Sequence, residues 1–410
     1  MNNLYWINFY LAYRNVTRNK RRSLITIGSI VFGIVALILA DGFIKWMLRE
    51  LRELTIYSQL GHIQVVQPNF HRMGKVNPNA FLMPAELPTE LTNNSISEIK
   101  AIVPRLSFSG LISHGESTIS FIGDAIDPIE QKYFGNSLQI LSGNNLSRES
   151  PLHLIAGEGL ANSLGLKIGD QVVLFVRTVS GGVNAIEMTV EGIFNTVSKA
   201  YDDNALRIPI ETAQKLLRTQ NIHSWIVLLN DTEQTDQVLN KLNATLPPKQ
   251  YEVVPWYHLS DFYNKTIELF SKQVWVIKLI IALIIMLSIS NMMTTNIMER
   301  VGEIGTTMAL GIKKREIMRG FFREALLIGC TGGLLGILLA MLLADIISKI
   351  GIPMPPPPGM TRGYIGQIIV TTDSLIESFI LVVVTTIIAA IFPTWKSTRI
   401  HIVDALRHNR

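Results

Sequence analysis

One apolar run, a long stretch of mixed polar and apolar residues, then three apolar runs close together: hydropathy follows this order along the chain. The runs cover residues 24–46, 274–293, 326–347 and 379–395. Each is about 20 residues long, which at 1.5 Å rise per residue suits a hydrocarbon core of ~30 Å. The first run is apolar up to Ala40 but for Thr26 and Ser29; Asp41 and Lys45 then intrude. A charge near a helix end can reach the headgroups, so Asp41, Lys278 and Asp345 are all expected at the outer ends of their spans.

Between the first two runs the periodicity predicts a mixed domain. Residues 95–102 have helix-like composition ahead of Pro104, and 157–164 read as a short helix stopped by Gly165. Residues 171–176 read as a strand. Ser180, Gly181 and Gly182 form a turn, and Ile186, Met188 and Val190 alternate with polar neighbours on the returning strand. Residues 210–218 and 232–246 look helical, while 225–229 and 251–254 look like strands. From about His258 a helix is predicted to run without a breaker into the second span. The expectation is an integral membrane α-helical protein of four transmembrane helices, with a large α+β domain inserted between helices 1 and 2. Five prolines at 353 and 355–358 predict a stiff extended loop after the third span, a spacer rather than a docking site.

Charge sets the orientation. Arg14, Arg18, Lys20, Arg21 and Arg22 precede the first span without an acid. Arg300, Lys313, Lys314, Arg315, Arg319 and Arg323 lie between the second and third, and Lys396, Arg399, Arg407 and Arg410 follow the fourth. The loop after the third span has only Lys349 and Arg362. The positive-inside rule puts both termini in the cytoplasm and the large domain outside, and an even number of spans agrees. Trp46, Trp275 and Trp395 sit at the expected membrane edges. The expected layout is therefore a cytoplasmic interfacial helix at 1–22, spans at 23–46, 274–293, 326–347 and 378–395, and an outer domain at 47–273. A cytoplasmic loop at 294–325, a Pro-rich outer loop at 348–377 and a cytoplasmic tail at 396–410 complete it. In the first segment Trp6, Phe9, Tyr10 and Tyr13 recur at helical spacing beside a stripe of Arg14, Arg18 and Arg21, which suits either an inner-leaflet helix that tilts with span one or a plain topology signal.

The net charge of +5 is accounted for by these flanks, so no nucleic-acid partner is expected. The single cysteine, Cys330, lies inside span three, so the outer domain holds itself by burial alone. The first run is too long for a cleavable signal and is read as an anchor. No Walker A, HExxH, GxSxG or CxxC pattern occurs; the eight histidines show no ligand spacing, and Asp202 and Asp203 read as solvated turn residues. No catalytic or metal site is expected.

The segment 298–326, MERVGEIGTTMALGIKKREIMRGFFREAL, is the most informative. Val301, Ile304, Met308 and Leu310 give a short helix an apolar side, and Gly311 can adopt the left-handed conformation that ends it. Lys313, Lys314 and Arg315 then open a second helix leading into span three. Spacing alone allows a rigid cytoplasmic handle or an ordinary juxtamembrane loop. Span three itself carries Gly329, Gly332, Gly333 and Gly336, small residues that let another helix pack closely.

Together ER at 299–300, EIG at 303–305, ALG at 309–311, the basic run, EAL at 324–326 and the Gly-rich span resemble the signature of FtsX-like permeases, the MacB and lipoprotein-releasing group of ABC transporters. Leu11, Arg14 and Asn15 with Arg21 and Arg22, GEGLA at 157–161 with LGLKIGD at 164–170, and Pro393 with ALR at 405–407 extend the resemblance along the whole chain. Ile312 and Lys313 stand where the family often has Ala and a capping Ser or Thr. The hairpin at 176–187 has a compact tip where lipoprotein-releasing permeases hook a carrier, which leaves hand-off to such a carrier open.

The resemblance implies a non-catalytic permease subunit of the bacterial inner membrane. It binds no cofactor itself; ATP and Mg belong to a separate ATPase subunit, consistent with the missing phosphate-binding loop. Glu303, Ile304, Gly305, Met308, Leu310, Gly311 and Lys313 are the implied ATPase-coupling contact. The chain would pair with a second copy or a homologue, with Val31, Ile34, Val35 and Leu39 as an apolar wall facing cargo and membrane lipids. Implied work is extraction of a lipoprotein or another amphiphile; a scaffold that activates a cell-wall hydrolase and a tripartite efflux permease with a periplasmic partner protein are the alternatives. With no ATPase sequence fused in these residues, the lipoprotein group is favoured.

Overall fold

The four apolar runs become four long helices, because away from water every backbone N–H and C=O must be satisfied within its own segment, which outweighs the poor helix propensity of their many Ile and Val residues. In the computed structural model they are α1 (Lys20–Thr55), α5 (Asp261–Glu299), α7 (Lys314–Ile350) and α8 (Thr372–Ser397), and all four are long and apolar enough to cross a membrane. The structure describes residues 14–397, leaving out 16, 19, 75–76, 89–90, 92–95, 128–129, 131–132, 134–137, 197 and 356–362. The aromatic residues of the N-terminal segment, most of the proline run and the C-terminal tail beyond 397 lie outside the described residues. The helices exceed the apolar runs: α1 continues nine residues past Trp46, and α5 begins thirteen residues ahead of Val274. The predicted unbroken helix from His258 is interrupted once. A short helical turn, Trp256–Leu259, ends at Ser260, and α5 starts at Asp261.

The chain divides into two compact units. One comprises Arg49–Thr266 with Met354–Tyr364; the other comprises the described residues of Met1–Leu48, Ile267–Pro353 and Ile365–Arg410. The boundaries at 48/49 and 266/267 fall inside α1 and α5.

The second of these units is a bundle built on an apolar core of Ile30, Ile34, Leu37 and Ile38 from α1, Ile285, Ile289 and Met293 from α5, Ala325, Ile328 and Ala340 from α7, and Val382 and Ala390 from α8. Several of its polar residues are paired across or along the helices. Asp41 accepts from Ser374 Oγ at 2.6 Å and from Lys45 Nζ at 3.0 Å, so it packs between α1 and α8 rather than standing free among headgroups. Lys278 reaches Glu377 at 2.5 Å, and Asp345 pairs with Lys349.

The other unit is a ten-stranded sheet with short helices laid on it. The strands are β1 (Ile63–Val66), β2 (Ile99–His114), β3 (Ser117–Ile126), β4 (Gln139–Gly143), β5 (His153–Gly157), β6 (Gln171–Arg177), β7 (Val183–Asn195), β8 (Ala205–Pro209), β9 (Ser224–Leu229) and β10 (Glu252–Pro255). Their order is β10-β1-β9-β2-β3-β8-β5-β7-β4, with β6 bridging β2 and β7. The helices α2 (Glu158–Leu164), α3 (Ile210–Leu217) and α4 (Thr235–Thr245) bury Leu160, Leu164, Ala213, Leu216, Val238 and Leu242 against it. The turn at 180–182 and the returning strand β7 stand as the alternation predicts. Two expectations fail. Helical composition at 95–102 does not give a helix: residues 99–102 open β2 by pairing with β9, and the same strand runs on to pair with β3 and bury Val103, Leu106, Phe108 and Ile112, which outweighs local propensity. Asp202 is not solvated: it is buried and accepts hydrogen bonds from the backbone N and Oγ1 of Thr196. Burial pushes its carboxyl above the usual range, only partly offset by those bonds.

Candidate functional site

Between α5 and α7 the chain makes a knob. Arg300 breaks the helix, α6 (Val301–Ala309) forms a short helix of about two and a half turns, and Gly311 takes φ +88°, the left-handed conformation that lets α7 start in a new direction. Lys313 precedes α7 without a side-chain cap, the place where a Ser or Thr would bond the free amides. The amphipathic pattern of α6 decides which residues are available. Val301, Ile304 and Gly305 are buried, with Ile304 in the bundle core, and Met308 is half-buried. Leu310 is 80% exposed and Ile312 46%, beside exposed Gly311, Lys313, Lys314 and Arg315.

This re-sorts the expected coupling residues. Ile304 and Gly305 are withdrawn into the bundle because the apolar side of α6 has a core to join. Glu303 is engaged within the chain: Arg18 Nη1 donates to its Oε1 at 3.0 Å and Arg300 Nε to its Oε2 at 3.2 Å. Burial raises the Glu303 carboxyl, but these bonds outweigh it and hold it below its usual pKa. What remains as surface is the tip, Leu310, Gly311 and Lys313, joined by Ile312, which sequence reasoning counted only as a departure from the family pattern. Its exposure has no sequence signal, since an isoleucine after a left-handed glycine fits a buried contact equally well.

The glycines of α7 lie at helix crossings. A Cβ on Gly332 would stand 2.8 Å from Ile30 Cγ2, and one on Gly336 2.9 Å from Ile34 Cβ, so α1 packs directly on this face. Gly329 meets Thr386 of α8, with Oγ1 at 2.6 Å from the same construction, and Gly333 meets Phe379. The seam takes up part of the face expected to meet cargo. Ile34 has no exposed surface and Val35 is buried, while Val31 and Leu39 are half-buried. The open face of α1 is instead the stripe of Leu24, Ile25, Gly28, Phe32 and Ala36, with Phe32 77% exposed.

This arrangement, an FtsX-type knob on a four-helix bundle plus a sheet domain, has matching families. Residues 23–245 match the MacB-like periplasmic core domain, more than half of the chain, and residues 275–402 match the FtsX-like permease C-terminal region. The chain belongs to the FtsX/MacB-type family of ABC transporter permeases. Among its relatives is the macrolide export ATP-binding/permease protein MacB of Psychrobacter cryohalolentis, 22% identical over 97% of this chain and 59% of that protein. An uncharacterized ABC transporter permease of Methanocaldococcus jannaschii, MJ1507, is also 22% identical, over 97% of this chain and 96% of that protein. The lipoprotein-releasing system transmembrane protein LolC of Xylella fastidiosa is 25% identical over 62% of this chain and 65% of that protein. This permease therefore spans little more than half the length of the MacB relative it matches.

The MacB-like domain of the permease carries its own polar interior. Arg105 donates to Glu130, both almost wholly buried; Arg207 Nη2 donates to Ser58 O at 2.7 Å, and Tyr201 OH donates to Asp124 Oδ2 at 2.5 Å. Burial raises the Glu130 carboxyl despite Arg105, and burial beside Asp124 raises the Tyr201 phenol. Arg105, Asp124 and Tyr201 line a cleft of about 620 Å³ whose other walls include Phe70, Phe108 and Ile122. At the foot of this domain the last turn of α1 is clamped. Arg52 pairs with Glu53 and Glu233, Thr232 Oγ1 donates to Glu53 Oε2 at 3.0 Å, and His62 Nε2 lies 3.1 Å from Thr232 Oγ1. Among the described residues no group of three or more His, Cys, Asp or Glu is placed to hold a metal ion.

Proposed function

We propose that this permease is the membrane subunit of an ABC transporter whose ATP and Mg are held by a separate ATPase subunit. The knob tip is the handle for that subunit. The observation that carries this reading is the exposure of Leu310 and Ile312, two large apolar side chains flanked by Lys313, Lys314 and Arg315 on a knob whose remaining apolar side is already buried. An apolar pair with a basic rim suits a groove with an acidic edge, the apolar part giving affinity and the charges register. The tip and both termini face the cytoplasm of a bacterial inner membrane, and the MacB-like domain faces the periplasm, in keeping with the distribution of basic residues. Two permease chains, copies or homologues, work as a pair, and the tilting of α1 and α5 carries motion outward, since both helices run on past their apolar windows.

The work performed is removal of an amphiphile from the membrane, with the exposed part of the α1 stripe near mid-depth, Phe32 and Ala36, as its contact. A lipoprotein is the favoured cargo, by analogy with the lipoprotein-releasing system of the LolC relative; the MacB relatives' macrolide export supports efflux of a smaller amphiphile as the second reading. Purification from native membranes tests the first step: an ATPase subunit accompanies the wild-type permease and is lost from Leu310→Arg. Retention of the ATPase by that variant, or its absence from the wild type, refutes the coupling assignment. Photo-cross-linking from Phe32 then separates the cargoes, lipoprotein against small molecule.

A further inference from the structure

The knob is tied to the bundle by a closed circuit of polar side chains. Glu324, at the root of α7, is only 3% exposed, yet its Oε1 accepts from Arg300 Nη1 at 2.9 Å and from Asn15 Nδ2 at 2.6 Å. Arg300 turns its Nε to Glu303, and Glu303 receives Arg18. Asn15 and Arg18 are both helical and stand three positions apart in the chain, so the circuit returns to the segment where it began. The neighbouring Arg22 adds a strut from α1 to the end of α5, donating to Glu299 Oε1 at 2.7 Å.

We infer that Asn15, Glu324, Arg300, Glu303 and Arg18 form a ring that locks the knob to the root of α7 and to the segment ahead of α1, making Glu324 and Arg300 positioning residues for energy coupling. The inference rests on the reading of the knob tip as the ATPase handle. Its two sides differ in strength. The Glu324–Arg300 side is shielded from water, so opening it strands a buried charge. The Arg18–Glu303 side has both side chains about half exposed and is screened, so it yields first. A displacement of the tip is therefore delivered rigidly to α7 and more loosely to α1. The basic residues ahead of α1, which set topology by their charge, acquire through this ring a second role as mechanical contacts.

The test uses the full permease with its ATPase subunit in lipid nanodiscs. Glu324→Gln keeps the shape and removes the charge. The ATPase is expected to co-purify and its KM for ATP to stay within about twofold, while permease-dependent kcat falls about tenfold. Arg300→Gln lowers kcat by a similar factor, the double variant Arg300→Gln with Glu324→Gln falls no more than about threefold below either single variant because the two groups act as one pair, and Arg18→Ala lowers kcat only about twofold. An unchanged kcat in Glu324→Gln, a double variant whose loss is the full product of the two single losses, or loss of the ATPase to the extent seen with Leu310→Arg overturns the inference. Should Glu324→Gln fail to fold, Arg18→Ala decides: the small fall supports the ring, and no change refutes it. If Leu310→Arg retains the ATPase, the handle reading itself fails, an outcome distinct from a silent Glu324→Gln.

Discussion

Gly329 offers a sharp test of how α7 and α8 are held together. A methyl placed there would lie 2.6 Å from Thr386 Oγ1, 2.9 Å from its Cγ2 and 3.1 Å from its Cβ, all below ordinary contact. Thr386 has no exposed surface, and a β-branched side chain in a helix has few rotamers, so it cannot swing clear and the helices must part. Overpacking of this kind costs about 1–3 kcal/mol. Ala also gains roughly 0.8–1 kcal/mol over Gly in helix propensity, which partly masks the cost. Gly320, on the same helix with nothing within 4 Å of a built Cβ, supplies the control: Gly320→Ala shows the propensity gain alone. The difference between the two variants therefore isolates the steric cost, about 1–3 kcal/mol. Thr386→Ala alone is expected to be near neutral, because the Oγ1 it removes is buried without a hydrogen-bond partner among the described residues and that gain offsets the lost methyl. It also removes the two shortest contacts, so Gly329→Ala should cost at least ~1 kcal/mol less in the Thr386→Ala background. Equilibrium unfolding of the full permease in mixed micelles of rising SDS fraction reads all four corners of the cycle and the control. If Gly329→Ala is as stable as Gly320→Ala, or if Thr386→Ala gives no relief, the close approach of α7 and α8 is wrong.

Three further outcomes concern the MacB-like domain. His62 is fully buried, and burial together with the charges of Arg52 and Lys100 pushes its pKa down to about 4. The unfolded chain then binds the extra proton between pH ~6.5 and ~4, so stability is full above that window and falls as pH drops through it, by on the order of 3 kcal/mol; denaturant titration at pH 7 and pH 5 should show the loss in wild type and a flatter profile in His62→Gln. Gly61 sits at φ +68° with a built Cβ only 2.2 Å from Ile226, so Gly61→Ala should lower the unfolding midpoint by an amount equivalent to more than ~2 kcal/mol, and an unchanged midpoint contradicts the geometry. Removing one partner of the buried Arg105–Glu130 pair, as in Glu130→Ala, should cost about 3–5 kcal/mol, while replacing both with Met should cost much less; equal losses from the single and double variants would refute the stranded-charge explanation.

Much of this permease was legible without coordinates. The four long apolar helices, the short helix ended by Gly311 and the α7 glycines all follow from properties of neighbouring residues: apolar length, turn chemistry and small residues at helical spacing. Those signals are local, and the backbone alone responds to them. The family resemblance extended the reading to a coupling segment, again through a contiguous run.

Which side of each helix is which was decided only by the tertiary structure. In a soluble helix the apolar side is the inner one, but a membrane helix is apolar both toward lipid and toward its neighbours, so periodicity does not tell Ile34, packed on Gly336, from Phe32, which is exposed. The same ambiguity hid the inward turn of Ile304 and Gly305 and the exposure of Leu310. Long-range pairing made the rest invisible: β2 forms because β9 and β3 flank it, Asp202 is buried because Thr196 satisfies it, and Glu324 meets Asn15 across 309 positions of chain. A single sequence records what each residue prefers; which partner answers that preference exists only once the chain has folded.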